Sequence, residues 1–317
     1  MPTFSAADGT LLAHHARGTG EPLAVLPGGP MRASAYLGDL GGLAAYHRLH
    51  LLDLRGTGDS ACPADLASCR ADRLVDDVEV WRDHMGWDHM DLLAHSAAAT
   101  VALLYAARHP DRVRRLLLIT PNCSALGFRT TPEDRLAAAR LRAHESWYPA
   151  AFPALSAWLD GTADYDEVFS PFFYGRWDEA ARTHDAAADH ETNEEAAAHF
   201  FADGALTPDA TRAALAALAA PVLVYAGALD GGPRPDLARE ATRVFRAAEF
   251  TVQPGAGHYP WLDDPEHFAG VVRDFLDRDP GAPAPASAPA SAPASAPAPA
   301  SAPRPATEPA PGHDPAA

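Results

Sequence analysis

One serine, one acid and one histidine in this chain occur in an order that acyl-transfer chemistry uses. Ser96 stands in Ala94-His95-Ser96-Ala97-Ala98, Asp230 follows the apolar run Val222-Leu223-Val224-Tyr225-Ala226, and His258 lies in Gly255-Ala256-Gly257-His258-Tyr259-Pro260-Trp261. A serine hydroxyl is a poor nucleophile until a base takes its proton during attack. His258 would be that base, and then the acid that protonates the leaving group. Asp230 would fix the imidazole tautomer and stabilise the imidazolium. Negative charge developing on the acyl oxygen needs N–H donors set in place beforehand. The amides of Gly29, in Pro27-Gly28-Gly29-Pro30, and of Ala97, beside the serine, are the candidate oxyanion donors. Each member has an ordinary alternative: an N-cap for Ser96, a turn residue for Asp230 ahead of Gly231-Gly232, a structural loop histidine for His258. Asp236 is a weaker competitor as the acid. Asp263 and Asp264 read as a helix cap, because Pro265 suits a first helical position.

These residues need elements that bring them together. Leu92 to Ala94 reads as a short buried strand, and from Ala97 to about His109-Pro110 the spacing is helical. A serine between such a strand and helix sits on a tight elbow, where the residues two before and two after must be small. Glycine is usual there, and this chain has Ala94 and Ala98. Further strands are expected at 22–26, 47–54, 113–120, 221–226 and 249–253, after a hairpin at 4–15 that turns at Asp8-Gly9. Helices are expected at 72–85, 235–247 and 265–277. Strands alternating with helices mean a mainly parallel sheet covered on both faces, and ligands of such sheets lie beyond the carboxyl ends of the strands. From 124 to 205 no strand pattern occurs, only aromatic-rich helical segments at 132–144, 149–159, 165–174, 177–189 and 193–202. That length is too great for a structureless loop and reads as an inserted helical cap. The expected organisation is therefore a core of 1–123 and 206–279, a cap of 124–205, and a tail of 280–317. The tail is almost entirely Ala, Pro and Ser, and with nothing apolar and branched to bury it is expected to be disordered.

Composition narrows the function. A hydrophobic fraction of 47% over 317 residues supports a sizeable core. A formal charge of −17 without a basic patch argues against nucleic-acid and anionic-membrane partners. The first residues lack a signal peptide's basic start and apolar centre, and no run approaches the roughly 18 apolar residues of a membrane span. With only three cysteines (Cys62, Cys69, Cys123), too few for a disulfide framework, a cytoplasmic location is expected. No phosphate-cradling glycine loop and no metal-ligand spacing occurs, so no cofactor and no metal are expected. His14-His15 reads as a surface pair.

On these residues the chain resembles the α/β-hydrolase superfamily over about 4–278. Pro27-Gly28-Gly29-Pro30 resembles the His-Gly-Gly-Pro oxyanion loop of the proline iminopeptidase group, with proline in place of the histidine. Asp53-Leu54-Arg55-Gly56-Thr57-Gly58-Asp59-Ser60 resembles that group's Asp-x-Arg-Gly-x-Gly-x-Ser segment, and Gly255-Ala256-Gly257-His258 the superfamily's histidine loop. The resemblance implies a serine hydrolase with a Ser-His-Asp triad and an acyl-enzyme, releasing N-terminal residues from short peptides. It excludes the relatives that use aspartate at the elbow. Recognition of a free amino terminus would fall to cap carboxylates, for which Glu191, Glu194 and Glu195 are candidates, with Asp185 and Asp189 nearby; a solvated acidic helix face is the alternative. The cap aromatics mostly read as the cap's own core. The rival readings are a carboxylesterase or lactonase on a small acyl substrate, and a catalytically silent binding protein, which the complete trio argues against. Oligomeric state is not legible.

Overall fold

A computed structural model describes residues 2–280. The expected disordered tail lies, from 281 onward, outside the described residues. The sheet has eight strands: β1 (Thr3–Ser5), β2 (Leu11–Arg17), β3 (Pro22–Leu26), β4 (Arg48–Leu52), β5 (Met90–His95), β6 (Val113–Ile119), β7 (Val222–Gly227) and β8 (Ala248–Gln253), in the spatial order β1-β2-β4-β3-β5-β6-β7-β8. The first two pairings are antiparallel and all others parallel. Alternate residues of the parallel strands enter opposite cores, as the two-residue period demands. Ala24, Leu26, Leu92, Ala94, Leu116, Leu118, Val222 and Val224 face one cluster, while Leu23, Val25, Leu93, Leu117, Ile119, Leu223 and Tyr225 face the other. Both faces being covered, the central strands carry aliphatic runs such as Leu116-Leu117-Leu118-Ile119 instead of strict alternation with polar residues.

The first cluster is roofed by α1 (Ala71–His84), through Leu74, Val75, Val78 and Trp81, and by α2 (Ala98–Arg108). α1 matches the expected 72–85 to within one residue at each end, with Met85 half-buried just beyond it. Between β6 and β7 come α3 (Pro132–Arg140), α4 (Tyr148–Leu159), a 3-10 segment (Glu167–Phe173), α5 (Glu179–Ala186), α6 (Ala188–Glu191), α7 (Glu194–Phe200) and α8 (Pro208–Leu215), with no strand among the described residues. Thr131 and Asp134 form a reciprocal capping box at the start of α3, and Pro132 fills its first position. A separate cluster joins Ala151, Leu155, Phe169 and Phe172 to Trp147, Tyr148, Phe152, Trp158 and Phe173, so most of these aromatics are the insertion's own core. Ala196 and Phe200 of α7, in contrast, are buried in the sheet's first cluster. α8 was not expected; its Leu215 returns the chain to that same cluster.

After β7 come α9 (Pro235–Thr242), α10 (Pro260–Asp263) and α11 (Pro265–Leu276), the last covering the second face with Phe268, Val272 and Phe275. α9 stops five residues short of the expected 247, because Val244 and Phe245 reach the core from turns that lead back into β8. All three cysteines are free thiols. No helix of the described residues is long and apolar enough to cross a membrane.

Candidate active site

Parallel registry sets the carboxyl ends of the strands level with one another: Leu26 lies beside Ala94, His95 beside Ile119, and Ile119 beside Tyr225. Gly28, Ser96, Thr120, Asp230 and His258 leave the sheet just beyond that line. The three expected catalytic residues meet there. His258 Nε2 is 2.8 Å from Ser96 Oγ, and His258 Nδ1 is 2.8 Å from Asp230 Oδ2. The second oxygen of Asp230 accepts the Gly232 amide at 2.8 Å, and the residue is 2% exposed. With one oxygen on His258 and the other on a backbone amide, this carboxylate has a single orientation. Asp236 makes no contact with His258; it lies in the first turn of α9.

The elbow is real and strained. Ser96 has φ 54°, in the left-handed region that costs a non-glycine residue roughly 1–2 kcal/mol. Met31 (φ 61°) and Thr120 (φ 41°) share that region. Three of the four such non-glycine residues among those described therefore sit at this edge, Ser96 and Thr120 held by bonds to Ile119 and Tyr225 and Met31 by the amide of Asn193. Ala94 and Ala98 are fully buried on either side of the serine. Gly28 explains why the neighbouring loop is glycine: a Cβ there would lie 2.7 Å from the His95 carbonyl and 2.9 Å from Ser96 Cβ. The Gly28 amide is spent on the Tyr36 hydroxyl at 2.6 Å. The amides of Gly29 and Ala97 donate to no protein acceptor among the described residues. Two uncommitted N–H groups thus flank Ser96, from the loop and from the helix start.

The expected amine-binding carboxylates are arranged otherwise. Glu191 is held by Arg32, Nε to Oε2 at 2.8 Å, and the guanidinium also donates to the His184 carbonyl at 2.9 Å. Its charge is compensated, through a partner 159 residues away. Glu194 and Glu195 are exposed in the first turn of α7, where they favour the helix dipole. Asp185 is the half-buried acid of this region; burial raises its pKa, and its Oδ1 accepts the Tyr174 hydroxyl at 3.4 Å. Tyr174 stacks on Tyr259, the residue after His258. Arg135 of α3 lies against Gly232 beside Asp230, with burial pulling its pKa down and the Asp230 charge opposing that pull.

Sequence reading missed several residues that brace the site. Asp263 was expected as a helix cap, yet only Asp264 caps α11; Asp263 accepts the amides of Gly257 at 2.8 Å, Gly175 at 2.9 Å and Arg176 at 3.2 Å. It ties the histidine loop to the insertion. His258 N–H also donates to the Phe173 carbonyl at 2.7 Å. On the other side Ala33 donates to Glu191 and Asn193 to Met31 through the backbone. Asp53 receives the amides of Ser34 and Asp59 and the ring of His15, so the Asp-x-Arg-Gly segment braces the oxyanion loop from below. His15, Asp53 and Asp59 fall within metal-ligand reach of one another, but both oxygens of Asp53 already hold amides. His14, expected at the surface, is buried against Phe4, His50 and Trp81.

A family model described as alpha/beta hydrolase fold matches residues 21–265. Among curated proteins, the proline iminopeptidase of Heyndrickxia coagulans is 26% identical over 272 residues, 82% of this chain and 92% of that protein. A pimeloyl-[acyl-carrier protein] methyl ester esterase of Neisseria meningitidis is 29% identical over 232 residues, 71% of this chain and 82% of its own length. Among solved structures, an enol-lactonase from Burkholderia xenovorans LB400 superposes with a TM-score of 0.61 at 22% identity, covering 87% of this chain and all of that one (100%).

Proposed function

The chain belongs to the α/β-hydrolase fold family and is a hydrolase; from that premise we propose that it acts through a covalent acyl-serine on Ser96. The observation that carries this reading is the unbroken chain Asp230–His258–Ser96, with both links at 2.8 Å. Ser96 Oγ attacks the acyl carbon as its proton passes to His258 Nε2. Asp230 accepts a hydrogen bond from His258 Nδ1–H, which fixes the tautomer and stabilises the imidazolium. The tetrahedral oxyanion is received by the free amides of Gly29 and Ala97. His258 then protonates the leaving group, and a water activated by the same ring hydrolyses the acyl-enzyme. The insertion at 124–205 caps the site and shapes what enters it.

For the substrate, release of an N-terminal residue from a short peptide is the first reading, supported by similarity to an iminopeptidase over nearly its whole length. With Glu191 neutralised by Arg32 and Asp189, Glu194 and Glu195 facing solvent, the acid of this set left to meet an ammonium group is Asp185. A small ester or lactone is the second reading, favoured by that same compensated charge around the serine. The test compares proline and alanine arylamides with short-chain aryl esters, on the wild type and Ser96→Ala. Amide turnover that Asp185→Asn weakens through KM supports the first reading; ester turnover with no amide turnover leaves the second. Turnover that survives Ser96→Ala, or failure of a fluorophosphonate to label the wild type, overturns the acyl-serine itself.

A further inference from the structure

Two buried side chains touch no reacting atom yet join the parts of the site that do. His95, 1% exposed, precedes the nucleophile and points away from it, to the opposite face of β5. Its Nε2 lies 2.9 Å from the backbone carbonyl of His258, and its Nδ1 lies 2.7 Å from the hydroxyl of Tyr36. The hydroxyl is in turn 2.6 Å from the amide of Gly28. Hydrogen placement follows from valence alone. A carbonyl only accepts, so Nε2 carries the ring proton; a neutral imidazole then offers Nδ1 as a bare acceptor. Tyr36 O–H therefore donates to Nδ1, and its oxygen accepts from Gly28 N–H. Burial favours the neutral ring, since it holds the His95 pKa well below the usual histidine value. The run is thus directed from end to end: Gly28 N–H to Tyr36, Tyr36 O–H to His95, His95 N–H to the carbonyl of His258. Thr120 Oγ1 donates to the same carbonyl at 2.9 Å, completing its acceptor capacity. Trp261 meets the His95 ring edge-on and the Arg32 guanidinium covers the Tyr36 ring, so neither side chain has room to turn.

We propose that Tyr36 and His95 are positioning residues that hold the oxyanion loop in register with the backbone of the catalytic histidine. Tying up the Gly28 amide leaves Gly29 as the loop's oxyanion donor. Anchoring the His258 carbonyl sets the height of its ring over Ser96. Donor and base are thereby fixed to one another across the sheet, and a displacement at either end reaches the other. This rests on the acyl-serine reading above.

The test uses Tyr36→Phe, His95→Leu and His95→Gln in the full chain. Kinetics are measured on an aryl ester, or on whichever arylamide the wild type turns over, well below each melting temperature. Rates are counted per site titrated by a fluorophosphonate, so unfolded molecules drop out. Tyr36→Phe and His95→Leu are expected to lower kcat about 10- to 100-fold with KM within about twofold, and to weaken a boronic-acid oxyanion mimic by a similar factor. His95→Gln, whose amide can donate toward the carbonyl and accept from Tyr36, is expected to recover most of that loss. A lower melting temperature with unchanged kcat per titrated site overturns the inference, since that is a packing role alone. Unchanged kcat with wild-type stability overturns it equally. Because labelling of Ser96 is scored in every variant, failure of the acyl-serine reading is distinguishable: it shows in the unlabelled wild type before any of these variants is compared.

Discussion

The carboxyl edge of the sheet and the helical insertion are built by different means. At the edge, side chains sit on or just past strands buried on both faces, and bonds to Ile119 and Tyr225 of neighbouring strands hold Ser96 and Thr120 at positive φ. The insertion is made of short helices and a 3-10 segment, with Pro153 and Pro171 inside them, packed around aromatic rings and stacked cations such as Arg142 over Trp147. The lesson is a division of labour. The sheet edge holds its side chains through strand ladders, and the insertion packs on its own aromatic core and meets that edge at contacts such as His258 N–H to the Phe173 carbonyl and Gly175 N–H to Asp263.

The sharpest way to break that division is at Ser96. Ser96→Ala is expected to cut kcat about 10⁶-fold with the thermal midpoint nearly unchanged, because alanine fills the same elbow; kinetics with parallel circular-dichroism melts check it. Asp230→Asn should cost about 10⁴-fold in kcat, with KM little altered. A matched pair then compares the two layers directly. Phe268→Ala, under the sheet, and Phe169→Ala, in the insertion, should each destabilise by about 3–5 kcal/mol in denaturant titrations. Per titrated active site, the first should keep wild-type kcat/KM, while the second should raise KM several-fold. Equal KM values in the two variants would dissolve the distinction.

The smallest effect lies away from both layers' chemistry. Burial pulls the His50 pKa down to about 4, beside Arg48, His14 and the Trp87 ring. The unfolded chain takes up that proton near the ordinary histidine value of about 6.5, while the folded chain resists it. Stability is therefore full above about pH 6.5 and falls as pH drops toward about 4. His50→Gln should flatten this slope in melts between pH 7 and 5, with activity at pH 7 unaltered.

How much of this was legible in the sequence follows the same division. The parallel strands could be read because two-sided burial leaves uninterrupted aliphatic runs such as Leu116-Leu117-Leu118-Ile119, and strand order then put Ser96, Asp230 and His258 at one edge. The braces could not be read. Nothing in Ser34-Ala35-Tyr36-Leu37 marks a hydroxyl that reaches a histidine 59 residues on, and His95 looks like a spacer between an alanine and the serine. Glu191 read as a free carboxylate because its counter-charge, Arg32, is remote in the chain. Asp263 read as a cap since Asp-Asp-Pro suits a helix start equally well with either acid. Local pattern reports what a residue's neighbours allow, and these four residues are defined by partners that only the fold supplies.

One contact constrains how molecules come and go. The amide of His258 is held by the carbonyl of Phe173, and a side chain at Gly257 would collide with that carbonyl at 2.6 Å. The histidine loop is thus latched to the inserted segment through the backbone. An inserted segment that swung away on a hinge would draw His258 from Ser96 with it, so the two contacts hold or break together.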